Sequence, residues 1–266
     1  MKISIAMAYY NRLAQFTKTL ETIALSKHKD LLEIIVMDDG SDEESKADKV
    51  VVPEGLDVKI LYIPGETRTW INPCIPYKMA FKKVTGDIVI IQNPECMHLG
   101  NIIDYVLKNS TEENYISFAA LSVLNNALTP EDYEKIASIP VSEVHPYLVK
   151  YPLAWHNHKF YRPYAYHFLT AITRKNLEAL KGFDERYGPG YCFDDNEFVA
   201  RIKRKGLRID FPSENEYITL HQCHSHQKPK RFPSLGPLHD RNHKLFLDVT
   251  QKETTWSADH NTIYPS

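Results

Sequence analysis

Apolar residues fall along this chain in blocks of two kinds. Runs of strand length occupy residues 3–8, 33–37, 58–63 and 87–91. Between them lie stretches in which apolar positions recur every three or four residues, beginning with Leu13, Phe16, Leu20, Ile23 and Ala24. The first pattern predicts buried strands and the second amphipathic helices. The same reading predicts helices over 76–84 and 99–107 and a strand over 115–121. Short strands alternating with helices require crossover connections, hence an α/β fold: a three-layer sandwich with a mostly parallel central sheet. Turn residues close two of the strands, at Asp38-Asp39-Gly40-Ser41 and at Gln92-Asn93-Pro94-Glu95.

The pattern changes in the second half. Residues 129–163 are rich in Pro, Tyr, His and Trp and read as irregular. Trp155-His156-Asn157-His158 and Tyr161-Arg162-Pro163-Tyr164 suit stacking on sugar rings or bases, and equally suit an insertion packed over the core. Regular structure returns over 167–173, in a helix at 175–180, in strands at 207–211 and 217–220, and in a helix with a loose tail from about 236. A small antiparallel element is expected in this half. No repeat or linker interrupts the chain, so 1–266 reads as one domain.

Composition narrows the function. At 266 residues and 43% hydrophobic content the chain can bury a large core. Its 32 basic and 34 acidic side chains give no electrostatic case for nucleic acid. Four scattered cysteines, Cys74, Cys96, Cys192 and Cys223, form no C-x-x-C pair, which argues against a disulfide framework and for a reducing compartment. A strand begins at once and no apolar run approaches membrane-spanning length, so the expectation is a soluble, cytoplasmic protein.

Ligands of parallel α/β sheets bind beyond the carboxyl ends of the strands. Three polar clusters fall there: Tyr9-Tyr10-Asn11-Arg12, Asp38-Asp39 and Asn93-Pro94-Glu95. A fourth follows the Gly/Pro/aromatic loop 182–193, where Asp194-Asp195-Asn196-Glu197 opens a helix. Carboxylates at a helix start are stabilised by its unpaired N–H groups, which would explain each singly. Two adjacent carboxylates also repel, and one held at a pocket mouth serves as a general base. No G-x-G-x-x-G, Walker, G-x-S-x-G or H-E-x-x-H motif is present.

Together these segments resemble a family 2-type inverting glycosyltransferase of the GT-A fold, in order and up to about residue 230. The resemblance rests on the 4–12 strand and its Tyr-Asn end, on Asp38-Asp39-Gly40-Ser41, on Gly86 to Glu95, on Gly182-Phe183-Asp184-Glu185 and on Phe193 to Phe198. It implies a nucleotide-sugar donor, usually uridine diphosphate, and a glycan, protein or small-molecule acceptor. The nucleotide-binding half would be about 1–122, the acceptor half about 123–235, and a C-terminal helix and tail the rest. Asp39 would recognise the base; Ala8, Tyr10, Asn11, Arg68 and Asn93 would line the donor site. Asn93-Pro94-Glu95 stands where the family has D-x-D, so Glu95 keeps one ligand for Mn²⁺ or Mg²⁺ and Asn93 has lost a charge. His221, His224 or His226 would complete the metal shell. Asp195 would be the base, with Asp194 holding the acceptor or orienting it. Trp155, His167, Arg174 and Glu197 are further candidates for sugar and acceptor contacts; Arg174 equally fits a surface charge at a helix start. The alternative is a non-catalytic nucleotide- or carbohydrate-binding protein on the same fold. A nucleotidyltransferase would need a Gly-rich basic loop after the first strand, which is absent.

Overall fold

The computed structural model describes residues 1–125, 128–224 and 234–259. The strands are β1 (Ile3–Tyr9), β2 (Leu32–Asp38), β3 (Val58–Tyr62), β4 (Ile88–Gln92), β5 (Cys96–Leu99), β6 (Asn114–Ser117), β7 (Ala120–Val123), β8 (Leu153–His156), β9 (Leu169–Thr173), β10 (Arg208–Asp210) and β11 (Ile218–His221). The helices are α1 (Leu13–Ala24), α2 (Cys74–Phe81), α3 (Ile102–Asn109), α4 (Pro130–Ser138), α5 (Val141–Leu148), α6 (Arg174–Leu180), α7 (Asp194–Arg204) and α8 (Gly236–Lys252).

Seven strands form the central sheet in the order β10-β6-β9-β4-β1-β2-β3. Every pairing is parallel except those of β9, which runs against β4 and β6. Side chains alternate across each strand, so near-continuous apolar runs feed two cores at once. Ile3, Ile5, Ile34, Val36, Ile88 and Ile90 meet α1 and α3, while Ala6, Ile35, Met37, Val89 and Ile91 meet α2, α6 and α7. This is the expected three-layer sandwich. Glu33, fully buried among these strands, accepts from Ser4 Oγ at 2.5 Å and from the Thr85 N–H at 2.5 Å, and pairs with Lys2 and Lys59.

A second sheet, ordered β5-β11-β7-β8, packs its own core against α4 and α5. It corrects three expectations. The 115–121 run is two strands in different sheets, a break hidden because every residue in it is buried. The helix expected from residue 99 begins at Ile102, after strand β5. Gly100 ends that strand at φ +84°, where a Cβ would stand 2.0 Å from the Glu216 carbonyl oxygen. The supposedly irregular 129–163 region holds α4, α5 and β8. Thr129 and Asp132 form a capping box with Pro130 at the first helical position. Tyr147, Lys150 and Tyr151 then close on the Asp132 carboxylate and tie α5 to α4. The helix expected at 76–84 sits slightly earlier, at Cys74–Phe81.

Candidate active site

The carboxyl ends of β1, β2 and β4 share one edge of the central sheet. Asp38 and Asp39 close β2 and divide the work. Asp38 builds the turn, its oxygens accepting from the Ser41 N–H at 3.0 Å and the Ala47 N–H at 2.8 Å. Gly40 lets the chain turn at φ +76°, where a Cβ would meet Gly65 Cα at 2.8 Å. Asp39 projects to the site, where Trp70 Nε1 donates to Oδ1 at 3.0 Å and Arg68 pairs with Oδ2 at 3.0 Å. Arg68 also donates to the Asp39 carbonyl and lies over the Tyr10 ring at 5.0 Å. Ala8 is half-buried beside this group, on β1. Asn11, at φ +50°, uses its side-chain amide to lace the β1 loop to Asp42, and so acts here as a brace between loops.

The second corner is built from β4, β5 and β11. His221 Nε2 lies 3.3 Å and His224 Nε2 3.5 Å from the same Glu95 oxygen. Gln222 fixes this convergence: its backbone N–H and its side-chain amide both donate to the Glu95 carbonyl. Burial pushes the Glu95 carboxyl up, but hydrogen bonds and charge from the two imidazoles hold it well below its ordinary range. The three ligand atoms lie within 4.8 Å of one another. Two donors bound at about 2.1 Å to one ion stand roughly 3–3.5 Å apart. Both Glu95–imidazole distances match that spacing, and His221 and His224 are the imidazoles that meet Glu95; His226 lies outside the described residues. Asn93 is anchored by the Tyr77 hydroxyl, which reaches its Oδ1 at 2.8 Å.

The third corner is the start of α7. Cys192 and Phe193 take φ +62° and +68° in succession, swinging the loop so that the two aspartates open the helix. Helix α8 holds that turn: Asn242 donates to the Tyr187 and Cys192 carbonyls, and Phe193 stacks on His243. Asp194 accepts from Asn72 Nδ2 at 2.8 Å. Burial, then the neighbouring Asp195 charge, pushes Asp194 up to about 7. Asp195 Oδ2 is 2.7 Å from His167 Nδ1, and its Oδ1 accepts from the Asn196 N–H at 2.8 Å. Burial opposes ionisation of Asp195, but the His167 charge and hydrogen bond outweigh it and lower its pKa. Phe168 joins the second and third corners: its ring lies 5.1 Å from that of His221, its carbonyl accepts from the Asn93 N–H, and its neighbour His167 reaches Asp195.

Three candidates fall outside this constellation. Glu197, one helical turn from the loop, is buried and paired to Arg201 at 2.6 Å, because its position on α7 faces the core. Arg174 follows β9 at the end where Thr173 pairs with Ile88, the opposite edge of the sheet, and donates to the Gly86 carbonyl. Trp155 packs on the core of the second sheet. Strand alternation turns the next residue, His156, toward the site instead, with its ring 4.3 Å from Phe168 and 6.0 Å from His221. Trp70 and Asn72 were missed from sequence, because each lies far along the chain from the aspartate it touches; only the W-I-N run before α2 hinted at them.

Known proteins share family signatures and fold with this chain. A family model described as "Glycosyl transferase family 2" matches residues 4–179, a stretch that includes Asp39 and Glu95. A second, "N-terminal domain of galactosyltransferase", matches residues 153–226, including Asp194, Asp195, His221 and His224. No curated protein matches by sequence. Among solved structures, the mannosyltransferase PcManGT from Pyrobaculum calidifontis, in complex with GDP-Man and Mn²⁺, superposes with a TM-score of 0.53 at 16% identity. That match covers 97% of this chain and 72% of PcManGT. GalNAc-T7 with UDP, GalNAc and Mn²⁺ gives 0.64 at 14% identity, over 96% of this chain and 49% of that one. S. aureus TarS 1-349 with UDP-GlcNAc gives 0.59 at 12% identity, over 88% and 62%. The chain thus spans about half of GalNAc-T7 and under two thirds of TarS 1-349. These likenesses establish the GT-A-like fold.

Proposed function

This chain belongs to glycosyl transferase family 2, and on that footing we propose that it moves a sugar from a UDP-linked donor to an acceptor hydroxyl with inversion at the anomeric carbon. The observation that carries the reading is that Glu95, with its two imidazoles, and the Asp194–Asp195 pair lie on either side of His167 and Phe168. A pure binding protein would gain nothing from that acid pair. Asp39, its carboxylate held by Trp70 and Arg68, would accept the imide N–H of uracil. GalNAc-T7 and TarS hold uridine nucleotides, whereas PcManGT holds GDP-Man.

Glu95, His221 and His224 would hold the divalent ion. Two imidazoles beside one carboxylate favour Mn²⁺ over Mg²⁺, which prefers oxygen ligands. Such an ion, when bound, neutralises charge on the departing diphosphate. Asn93 is placed to bind a ribose or sugar hydroxyl. Asp195 supplies the basicity that removes the acceptor proton as that oxygen attacks the anomeric carbon opposite the diphosphate. Asp194, its pKa raised by burial and by the Asp195 charge and its carboxylate tied to Asn72, positions the acceptor by a hydrogen bond.

The test is UDP release from a panel of UDP-sugars, with water or simple glycosides as acceptor, in Mn²⁺ and in chelator. Metal-stimulated release supports the reading. Tight UDP-sugar binding with no release under any condition would favour the non-catalytic alternative.

A further inference from the structure

Helix α8 lies beyond the residues that either family model matches, yet one of its side chains is bonded into the turn that presents the acid pair. Asn242 is fully buried, and every polar atom of its side chain is engaged. Its Nδ2 donates to the Tyr187 carbonyl at 3.0 Å and to the Cys192 carbonyl at 2.9 Å, which uses both amide hydrogens. Its Oδ1 accepts from Arg241 Nη1 at 2.6 Å. The loop meets this amide with a glycine: a Cβ at Gly190 would stand 2.1 Å from Asn242 Oδ1. The Tyr191 N–H donates to the Leu238 carbonyl on the same helix at 3.2 Å. The grip reaches the site at Cys192. Its carbonyl also accepts from Asn72 Nδ2 at 3.4 Å, and that same nitrogen donates to Asp194 at 2.8 Å. Cys192 and Phe193 hold positive φ in succession, a conformation that residues with a side chain keep only where their surroundings impose it. Helix α8 imposes it, with Asn242 on the Cys192 carbonyl and with His239, His243 and Phe246 around the Phe193 ring at 4.9–5.6 Å.

Resting on the transferase reading above, we propose that Asn242 is a positioning residue for the transfer: by fixing the Cys192 carbonyl it sets where Asp195 stands against the acceptor hydroxyl. Asn242 touches no reacting group and acts through the turn. Proton removal needs the Asp195 carboxylate within hydrogen-bond reach of the acceptor oxygen. A misplacement of about 1 Å is enough to cost on the order of 10²-fold in rate. Nucleotide binding draws instead on Asp39 and the Glu95 corner, and the hydrogen-bond partners of Asn242 include none of those residues. The role therefore calls for a loss of turnover without a loss of nucleotide affinity.

A double-mutant cycle decides it. Turnover per folded molecule is measured for the native protein, Asn242→Ala, Asp195→Asn and the double variant. The readout is nucleotide release from UDP-glucose, UDP-galactose, UDP-N-acetylglucosamine and GDP-mannose in Mn²⁺, with UDP affinity taken by calorimetry on the same proteins. Asn242→Ala should lower kcat about 10²-fold while UDP affinity stays within a few-fold of native. In the Asp195→Asn background the same substitution should change kcat by less than about threefold, because the group it positions is already gone. A helix that only stabilises the fold gives a different pattern. Native kcat per folded molecule in Asn242→Ala, equal losses in both backgrounds, or a matching fall in UDP affinity would each overturn the proposal. Val249→Ala, at a buried position two helical turns further along α8, is the stability control and should lower Tm with kcat unchanged. If Asn242→Ala does not fold, Asn242→Ser, which keeps one donor, is read through the same cycle. No release by the native protein from any of the four donors would instead bring down the transferase reading itself.

Discussion

Two acids two residues apart on α7 are assigned opposite roles, and substituting each in turn separates chemistry from packing. Glu197 is 1% exposed and its partner Arg201 is 2% exposed. Arg201 gives Nε and Nη2 to Glu197 at 2.6 and 2.8 Å, and its Nη1 and Nη2 to the Leu180 and Gly182 carbonyls. The pair thus fastens α7 to the end of α6. Glu197→Gln leaves a buried guanidinium without its counter-charge, a change that costs about 3–5 kcal/mol. For a chain of this size that corresponds to a fall in Tm of roughly 5–10 °C. At a temperature where the variant remains folded, its turnover per folded molecule should stay within a few-fold of native. Asp195→Asn should show the converse, with Tm nearly unchanged and turnover down about 10²–10⁴-fold. Differential scanning calorimetry alongside nucleotide-release kinetics on both proteins measures all four quantities. A Glu197→Gln protein with native Tm and abolished turnover would refute the division of labour and return Glu197 to the active site.

Other predictions concern the base pocket, the metal corner and acid stability. Asp39→Ala should weaken UDP binding by about 1.5–3 kcal/mol, the worth of a hydrogen bond to a charged group, in a titration by calorimetry; unchanged affinity would remove Asp39 from base recognition. Glu95→Ala should abolish Mn²⁺ binding, measured by electron paramagnetic resonance, and make turnover insensitive to chelator; retained Mn²⁺ affinity would place the ion elsewhere. Burial pushes Glu33 up, but hydrogen bonds from Ser4, Thr85 and Lys2 pull it down to about 2. Its folded pKa is depressed, so its contribution is complete above the ordinary carboxyl value and fades as pH falls from about 4.5 toward 2. Glu33→Gln should remove on the order of 3 kcal/mol of stability at neutral pH and flatten that acid limb in urea titrations; an unchanged pH profile would contradict it.

Features written in local sequence were legible. The alternation of strands and helices, the Asp-Asp-Gly-Ser turn and the acidic start of α7 depend on near neighbours, and the fold followed from them. The capping signal Thr129-Pro130-Glu131-Asp132 was also present, yet the prolines at 140 and 146 masked α4 and α5. What escaped depends on long-range contact. Trp70 meets Asp39 across 31 residues and Asn72 meets Asp194 across 122. That His221 meets Glu95 follows from the pairing of β11 with β5, which brings residue 221 opposite Cys96 and so beside Glu95. Glu197 follows Asp195 by two residues, about 200° round the helix, so it faces the core and pairs with Arg201 there.

The central claim is that Asp39 and the Glu95 corner together form one nucleotide-diphosphate site. Calorimetric titration of UDP and GDP into the native protein, with and without Mn²⁺, tests it most directly. The account predicts that UDP binds more tightly than GDP and that Mn²⁺ strengthens UDP binding, an enhancement lost in Glu95→Ala. The absence of UDP binding in both conditions, or binding indifferent to both Mn²⁺ and the Glu95 substitution, would contradict it.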